Sequence, residues 1–378
     1  MDRRIGHAEA MTSFVDERDA ILDALERILR TWHEHESFDH AVTETVSRTG
    51  YAAADVAAQL RHVAVRCRAE VLRELLVDEH DGVEPDPADL PSTVLVLASG
   101  GVPGLVIEGI ASALAVGATA LVRPSRDETI LHHLLGGLRA WEPALADRIE
   151  VVGTGGVDVP WNRAEAAVVF GSNETIARVR ELLPAAASRR VAGYGSRQGI
   201  AVLAAGADID ASWAERLADD VLTFRQRGCM SPSWIFVVGD DATADELVSA
   251  IGRELALGRT RHLAPGVEDH IAQRRSSDAD VLGAIAAGMA VDSTAFHTGD
   301  ARVTVVRVPT IDALGTHVAH LGSLLQTAVV ATGIEDRPRI AEILLDSGCT
   351  RVCLPGDAHW PDPRWPQDGI GRIAPLLG

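Results

Sequence analysis

Cysteine is scarce in this chain: 378 residues carry only Cys67, Cys229, Cys349 and Cys353. That number is too small for a disulfide-stapled scaffold. Cys349 and Cys353 are four apart, but no second Cys or His pair follows at zinc spacing, so no metal is expected. Aromatic residues make up 4%, which leaves no platform for stacking bases. Basic residues are also in deficit, with 35 Lys plus Arg against 54 Asp plus Glu and a formal charge of −19. A field of that sign repels nucleic acid and anionic lipid, so neither is expected as a partner. No run of about 18 apolar residues exists, so no membrane span is expected. The opening "MDRRIGHAEAMTSF" has no apolar core of a signal peptide, and a cytoplasmic protein with reduced thiols is expected.

What remains is an ordinary globular mixture, 47% hydrophobic and 24% charged, long enough for two domains. Residues 11–33 place Phe14, Ile21, Leu25, Ile28, Leu29 and Trp32 at helical steps among charges, and a second amphipathic helix is predicted over 53–77. The acidic, proline-rich stretch 78–92 reads as a surface connection. After it the rhythm changes to short apolar strands alternating with helices. Strands are predicted at 93–99, 118–125, 148–153 and 166–171, with helices at 104–117, 127–141 and 173–183. Such runs argue for a parallel sheet covered on both faces. A second α/β unit follows, with strands at 199–205, 233–239 and 302–308 and helices at 211–224, near 243–257 and near 279–289. The fold class is α/β.

Three local patterns bear on chemistry. "VVGTGGVD" supplies Gly153, Gly155 and Gly156 without the third glycine of a dinucleotide fingerprint, which suits either a plain turn or a phosphate turn. "FGSNET" ends a strand at Gly171 and caps a helix with Ser172 or Asn173, an arrangement that binds anions as readily as it turns a chain. "RQRGCMSPS" sets Cys229 behind Gly228 and near Arg225 and Arg227, with Pro232 stiffening the far side. A thiol reacts as thiolate, and cations or oriented amides favour that form. A buried structural thiol is the alternative reading. The histidines do not organise: His33, His35 and His40 lack the paired spacing of a metalloprotease helix and read as a solvated helix end.

Taken together, "GVPGLVIEGIASAL" (101–114), "LVRPS" (121–125), "FGSNET" (170–175), "RQRGCMSPS" (225–233), "LGSLLQTAVV" (321–330) and "LPGDAHWPDPRWPQDG" (354–369) resemble the aldehyde dehydrogenase superfamily. More narrowly they resemble its acyl-CoA reductase branch, typified by the bacterial bioluminescence fatty-acid reductase. The resemblance spans residues 90–378. It implies a Rossmann-type cofactor domain, a second α/β domain bearing the nucleophile, and N-terminal helices. The expected division is 1–205 for the first, with 354–378 returning to it, and 206–353 for the second.

Carried over by position, the resemblance makes Cys229 the acyl acceptor and places Ser99, Arg123, Ser125, Arg126, Gly153, Gly155, Gly171 and Ser172 on the nucleotide. Arg123 stands where the family has lysine, and Arg126 suits a 2′-phosphate, which implies NADPH rather than NADH. Gly101 occupies the position of an oxyanion-hole asparagine and donates only through its backbone. His297 is the candidate acid or base. The glutamate that activates water in hydrolytic relatives has no counterpart in "GYGSRQGIAVL" (193–203), which favours an acyl-CoA or acyl-carrier-protein thioester as substrate. The implied reaction is reduction of that thioester to an aldehyde. A CoA-acylating aldehyde dehydrogenase running oxidatively and a non-catalytic partner protein on the same fold are the alternatives. The superfamily usually self-associates, which extends to this chain as a homo-oligomer.

Overall fold

The computed structural model describes residues 2–126, 128–153, 159–206, 212–258, 261–262, 293–298 and 301–378, of which 2–10, 293–298 and 301–302 are described by backbone alone. The chain divides into two compact units. The first comprises Met1–Thr49, Val56–Gly195 and Asp362–Gly378; the second comprises Gly50–Asp55 and Ser196–Pro361.

The chain opens with helices α1 (Asp2–Thr31), α2 (Glu36–Thr49), α3 (Ala53–Arg66) and α4 (Ala69–Asp78). The single helix predicted over 53–77 is thus two, because Arg68 is extended (φ −60°, ψ 140°) and restarts the chain as α4. The segment around His33–His40, read as a solvated helix end, is instead one 3-10 turn followed by α2, which buries Phe38, Ala41 and Val42.

Next comes a parallel sheet of β1 (Thr93–Leu97), β2 (Thr119–Arg123), β3 (Ile149–Val151), β4 (Ala166–Phe170) and β5 (Val191–Tyr194), ordered β3-β2-β1-β4-β5. Between its strands run α5 (Leu105–Ala115), α6 (Ile130–Trp141), α7 (Pro143–Ala146) and α8 (Asn173–Leu182). Helix α5 is apolar nearly all round and buried from Val106 to Ala115, as expected of a helix with protein on every side. Gly109 lets it press on the sheet, since a Cβ there would lie 2.5 Å from Val96 Cγ1. On the other face α8 packs Ile176 and Val179 with Leu95, Leu121 and Val169.

The second unit holds β6 (Gln198–Ala204), β7 (Pro232–Val238), β8 (Ser293–Thr298), β9 (Ala301–Val308), β10 (Leu325–Ala331) and β11 (Arg351–Cys353), ordered β11-β10-β6-β7-β9-β8. Its described pairings are parallel except β8 with β9. Helices α9 (Trp213–Leu222) and α10 (Asp241–Gly258) cover one face, burying Leu217, Val221 and Ile251 against Ala201, Leu203 and Ile235. On the opposite face α11 (Ile311–Val318) and α12 (Arg337–Asp346) bury Leu314, Val318 and Ile340 against Val202, Phe236 and Val330. Each buried aliphatic or aromatic side chain contributes roughly 1.5–3 kcal/mol of transfer free energy.

The domain limits differ from those expected. The first cut falls at 195/196 rather than 205/206, because β6 pairs with β7 and β10 in the second sheet. The tail joins the first unit from Asp362, not from 354. There Glu79 accepts three backbone N–H bonds from Arg372, Ile373 and Ala374 (3.0, 2.7 and 2.8 Å), a carboxylate cap on the short helix α13 (Ala374–Leu377). Arg66, 2% exposed, donates to Glu108 (3.0 Å) and to the Asp362 carbonyl (2.9 Å), while Arg372 donates to the Arg66 carbonyl (2.9 Å). Burial works against the Glu108 charge, but the guanidiniums of Arg66 and Arg372 hold its carboxyl below the usual range.

Candidate active site

In the first unit, the predicted nucleotide residues gather along the carboxyl ends of the strands. Sheet order reverses direction between β1 and β4, and in open α/β sheets the crevice at that point takes the ligand. Leu97 pairs with both Arg123 and Val169, so the β1 exit at Ser99–Gly101 runs beside the β4 exit at Gly171–Ser172. The β1–α5 turn ends at Gly104, left-handed at φ 82°, where a Cβ would meet Leu60 and Val63 side chains at 3.1 Å. Glycine is what lets α5 begin there. Ser172 caps α8 by accepting from the Thr175 N–H (3.2 Å).

Arg123 closes β2 with an exposed side chain. Its stem lies against Gly153, whose Cβ would sit 3.1 Å from Arg123 Cγ and 2.9 Å from Val159 Cγ2. Next along the chain, Ser125 Oγ is buried with no hydrogen-bond partner among the described residues. Arg126 is exposed, and its carbonyl accepts from Arg48 (3.2 Å). Ser99, Arg123, Gly153 and Gly171 therefore share one edge of one sheet. Gly155 and Gly156 lie outside the described residues, as does the helix predicted near 279–289.

Cys229 belongs to the second unit, on the link from α9 to β7. Phe224, Arg225 and Gln226 run consecutively at φ 52°, 53° and 58°. Left-handed backbone costs roughly 1–2 kcal/mol per non-glycine residue, so three in a row persist only where the surroundings fix them. Several contacts do so. Phe224 is fully buried between Tyr51 and His359, with ring centroids 5.5 Å from each. Gln226 Nε2 donates to the Pro232 carbonyl (2.9 Å), and the Arg227 guanidinium lies over the Tyr51 ring at 5.8 Å. Gly228 and Ser231 then close a turn (Ser231 N–H to Gly228 carbonyl, 3.1 Å) that presents Cys229 partly exposed. Beneath it, a Cβ on Gly199 of β6 would stand 2.4 Å from the Met230 carbonyl oxygen.

The other thiols are ruled out as nucleophiles by their surroundings. Burial pushes Cys67 up to about 12, Cys349 to about 11 and Cys353 to about 12, so each stays protonated at neutral pH. Cys67 also lies at a turn but is fully buried, whereas the turn at Cys229 leaves its thiol partly exposed.

Two groups beside this turn carry no obvious signal in the sequence. Asp220 of α9 is 2% exposed, and its two carboxylate oxygens accept from the Gly356 N–H (2.7 Å) and the Ala358 N–H (3.0 Å). Burial outweighs those donors and raises its pKa to about 7. His359 is likewise 2% exposed and donates from Nε2 to the Asp220 carbonyl (2.9 Å), with Ser231 Oγ at 3.4 Å. Burial lowers its pKa to about 4, so the ring is neutral. His359 sits within "LPGDAHWPDPRWPQDG", but no spacing ties it to Cys229. His297 lies on the edge strand β8 opposite Arg302, two strands from β7, or about 10 Å by strand spacing. Among the described residues no group of three His, Cys, Asp or Glu could hold a metal ion, and no helix is long and apolar enough to cross a membrane.

The family profile of acyl-CoA reductase (LuxC) matches residues 16–299, most of the chain, running from within α1 through the Cys229 turn to β8. The chain belongs to the acyl-CoA reductase (LuxC) family. It is accordingly an oxidoreductase of acyl or aldehyde groups. Solved structures similar to it include aldehyde dehydrogenases. The P. syringae indole-3-acetaldehyde dehydrogenase, solved with NAD+, is 14% identical over 94% of this chain and 81% of its own, with a TM-score of 0.62. Aldehyde dehydrogenase 21 from Physcomitrella patens, solved with succinate, is 14% identical over 96% and 82%, at 0.66. HpcC from Thermus thermophilus is 16% identical over 92% and 76%, at 0.65. At such identities the likeness concerns the fold, which is that of aldehyde dehydrogenases. No curated protein matches the chain.

Proposed function

We propose that this acyl-CoA reductase family member uses NADPH to reduce an acyl thioester to an aldehyde through a covalent Cys229 acyl-enzyme. The observation that carries the reading is the pinned left-handed run Phe224–Gln226, which spends backbone strain to deliver one thiol, Cys229, while burial keeps the other three protonated.

The nucleotide fits the carboxyl edge of the first sheet. Ser125 offers a buried hydroxyl with no partner among the described residues, which suits a ribose hydroxyl. Arg123 and Arg126 would hold the adenosine phosphate end, and the exposed guanidinium of Arg126 suits a 2′-phosphate. The P. syringae relative was solved with NAD+, which supports a nicotinamide dinucleotide of one kind or the other.

In the reaction, Cys229 Sγ attacks the thioester carbonyl carbon. The bond to the donor sulfur breaks, the donor leaves as a thiol, and the acyl group moves to Cys229. The backbone amide at Cys229 is the donor we assign to the developing oxyanion. Within 193–203, where hydrolytic relatives keep a glutamate, the chain has no carboxylate to activate water, so the acyl-enzyme is spared hydrolysis. The hydride that converts it to aldehyde and returns Cys229 as thiolate is what bound NADPH supplies. The donor is a thioester of coenzyme A or of a carrier protein. Purified protein given acyl-CoA and NADPH should consume NADPH and yield one trappable aldehyde per NADPH, and Cys229→Ala should do neither. Aldehyde formation that survives Cys229→Ala refutes the proposal.

A further inference from the structure

His359 is a buried polar side chain to which the reaction above assigns no task. Its Nε2 is satisfied by the Asp220 carbonyl at 2.9 Å, yet its Nδ1 is buried and has no hydrogen-bond partner among the described residues. A lone pair left bare in a dry place is costly, so the ring is kept there at a penalty. Its bare edge faces the residue before the nucleophile. A Cβ built on Gly228 would lie 3.3 Å from His359 Cε1 and 3.6 Å from Nδ1, with Ser231 Oγ at 3.5 Å.

The ring is also held in register with α9. Asp220 accepts from the Gly356 and Ala358 N–H groups with its carboxylate and from His359 with its carbonyl, so one residue fixes the loop on both sides. On its face the ring meets Phe224 edge-on, at 5.5 Å and 81°, the first of the three left-handed residues. His359 thus touches both ends of the strained run, Phe224 at its start and Gly228 just past it.

We propose that His359 is a positioning residue for the nucleophile: seated on Asp220 and braced against Phe224 and Gly228, it sets the turn that aims Cys229 at the acyl carbon. The inference rests on the reading of Cys229 as acyl acceptor. Removing the ring would let the left-handed run relax, and a displacement of the thiol by about 1 Å can cost on the order of 10²-fold in rate.

The test is the single-turnover rate of Cys229 acylation by radiolabelled acyl-CoA in wild type, His359→Ala, Gly228→Ala and the double variant. Mapped iodoacetamide labelling of the four thiols runs alongside. Cys349, buried in the same unit as His359, reports the fold of that unit, and Cys67 that of the first: each stays unlabelled if its unit is intact. We expect roughly a 10- to 100-fold slower acylation in His359→Ala, with acyl-CoA affinity little changed. Gly228→Ala, whose methyl meets the ring, should fall similarly, and the double variant should be no slower than either single one. His359→Gln, which can keep a donor towards the Asp220 carbonyl, should recover part of the rate. Acylation at the wild-type rate in a folded His359→Ala overturns the proposal, as do additive losses in the double variant. If His359→Ala exposes Cys349, Gly228→Ala becomes the deciding variant, and a wild-type rate there overturns the proposal. Label retained by Cys229→Ala would instead overturn the parent reading, an outcome distinct from the others.

Discussion

Removing His262 should weaken the second unit in a way that depends on pH. Its Nδ1 lies 2.8 Å from Asp55 and its Nε2 2.9 Å from Asp219, so the ring bridges two carboxylates. Burial lowers the pKa, but the bonds to Asp219 and Asp55 outweigh it and raise it to about 9 from 6.5. A rise of that size corresponds to about 3 kcal/mol favouring the charged, clamped form. Asp219 is 38% exposed, and water screens that half of the clamp, so we take about 2 kcal/mol as the contribution. The sign follows from a raised folded-state pKa. The stabilisation is complete below pH 6.5, fades as pH climbs, and is gone above about 9. The perturbation is His262→Gln, and the assay is thermal unfolding from pH 6 to 9.5. Wild type should exceed the variant by about 4–8 °C in Tm at pH 6. The gap should close towards pH 9.5. Parallel curves over that range would refute the reasoning.

Gly199→Ala should cost on the order of 10²-fold in NADPH-dependent turnover, because its Cβ would push the Met230 carbonyl and with it the Cys229 turn; wild-type turnover would contradict this. Arg126→Glu should lower kcat/KM for NADPH relative to NADH by about tenfold or more, through loss of a cation and gain of repulsion. An unchanged cofactor ratio would show that Arg126 does not meet the 2′-phosphate. Glu79→Ala should expose the C-terminal tail to carboxypeptidase, since three backbone N–H groups of Arg372–Ala374 lose their acceptor at about 1 kcal/mol or more each. Unaltered resistance would indicate that the tail's other contacts, including Arg66 to the Asp362 carbonyl and Arg372 to the Arg66 carbonyl, hold it without Glu79.

Much of the fold was legible because its strands are buried on both faces and read as unbroken apolar runs: β1, β2, β4, β6 and β7 fall within two residues of the predicted limits. What was missed is short or depends on distant partners. Strand β5 is four residues with a glycine inside, and β8 alternates Ser, Ala and His at a sheet edge, so neither gives a clear period. Helix α2 hid behind the histidines at and before its start and its own acids because its apolar stripe is small. The break between α3 and α4 reflects long-range ties, with Arg66 bonded to Glu108 and to the Asp362 carbonyl, and such ties leave no local trace.

The candidate site divides the same way. Gly153, Gly171 and Ser172 were singled out by motif, and Ser99 and Arg123 entered through the family resemblance; all five lie at or just past strand ends of one sheet. Cys229 was singled out by its glycine and proline neighbours. His359 was not, because it reaches the turn only from the loop after β11, far along the chain, and Asp220, although it is near Cys229 in sequence, carries no local mark of its bonds to Gly356, Ala358 and His359. The left-handed geometry of Phe224–Gln226 was equally hidden, for none of the three is a glycine or asparagine that would advertise it.

The most direct test of the chemistry is acyl transfer to the thiol itself. Protein mixed with radiolabelled medium-chain acyl-CoA, without NADPH, should retain about one acyl group per chain in a bond that hydroxylamine cleaves, as expected of a thioester. The label should map to Cys229, vanish in Cys229→Ala, and leave as aldehyde when NADPH is added. Absence of label from both CoA and carrier-protein thioesters, or label that persists in Cys229→Ala, would contradict the assignment.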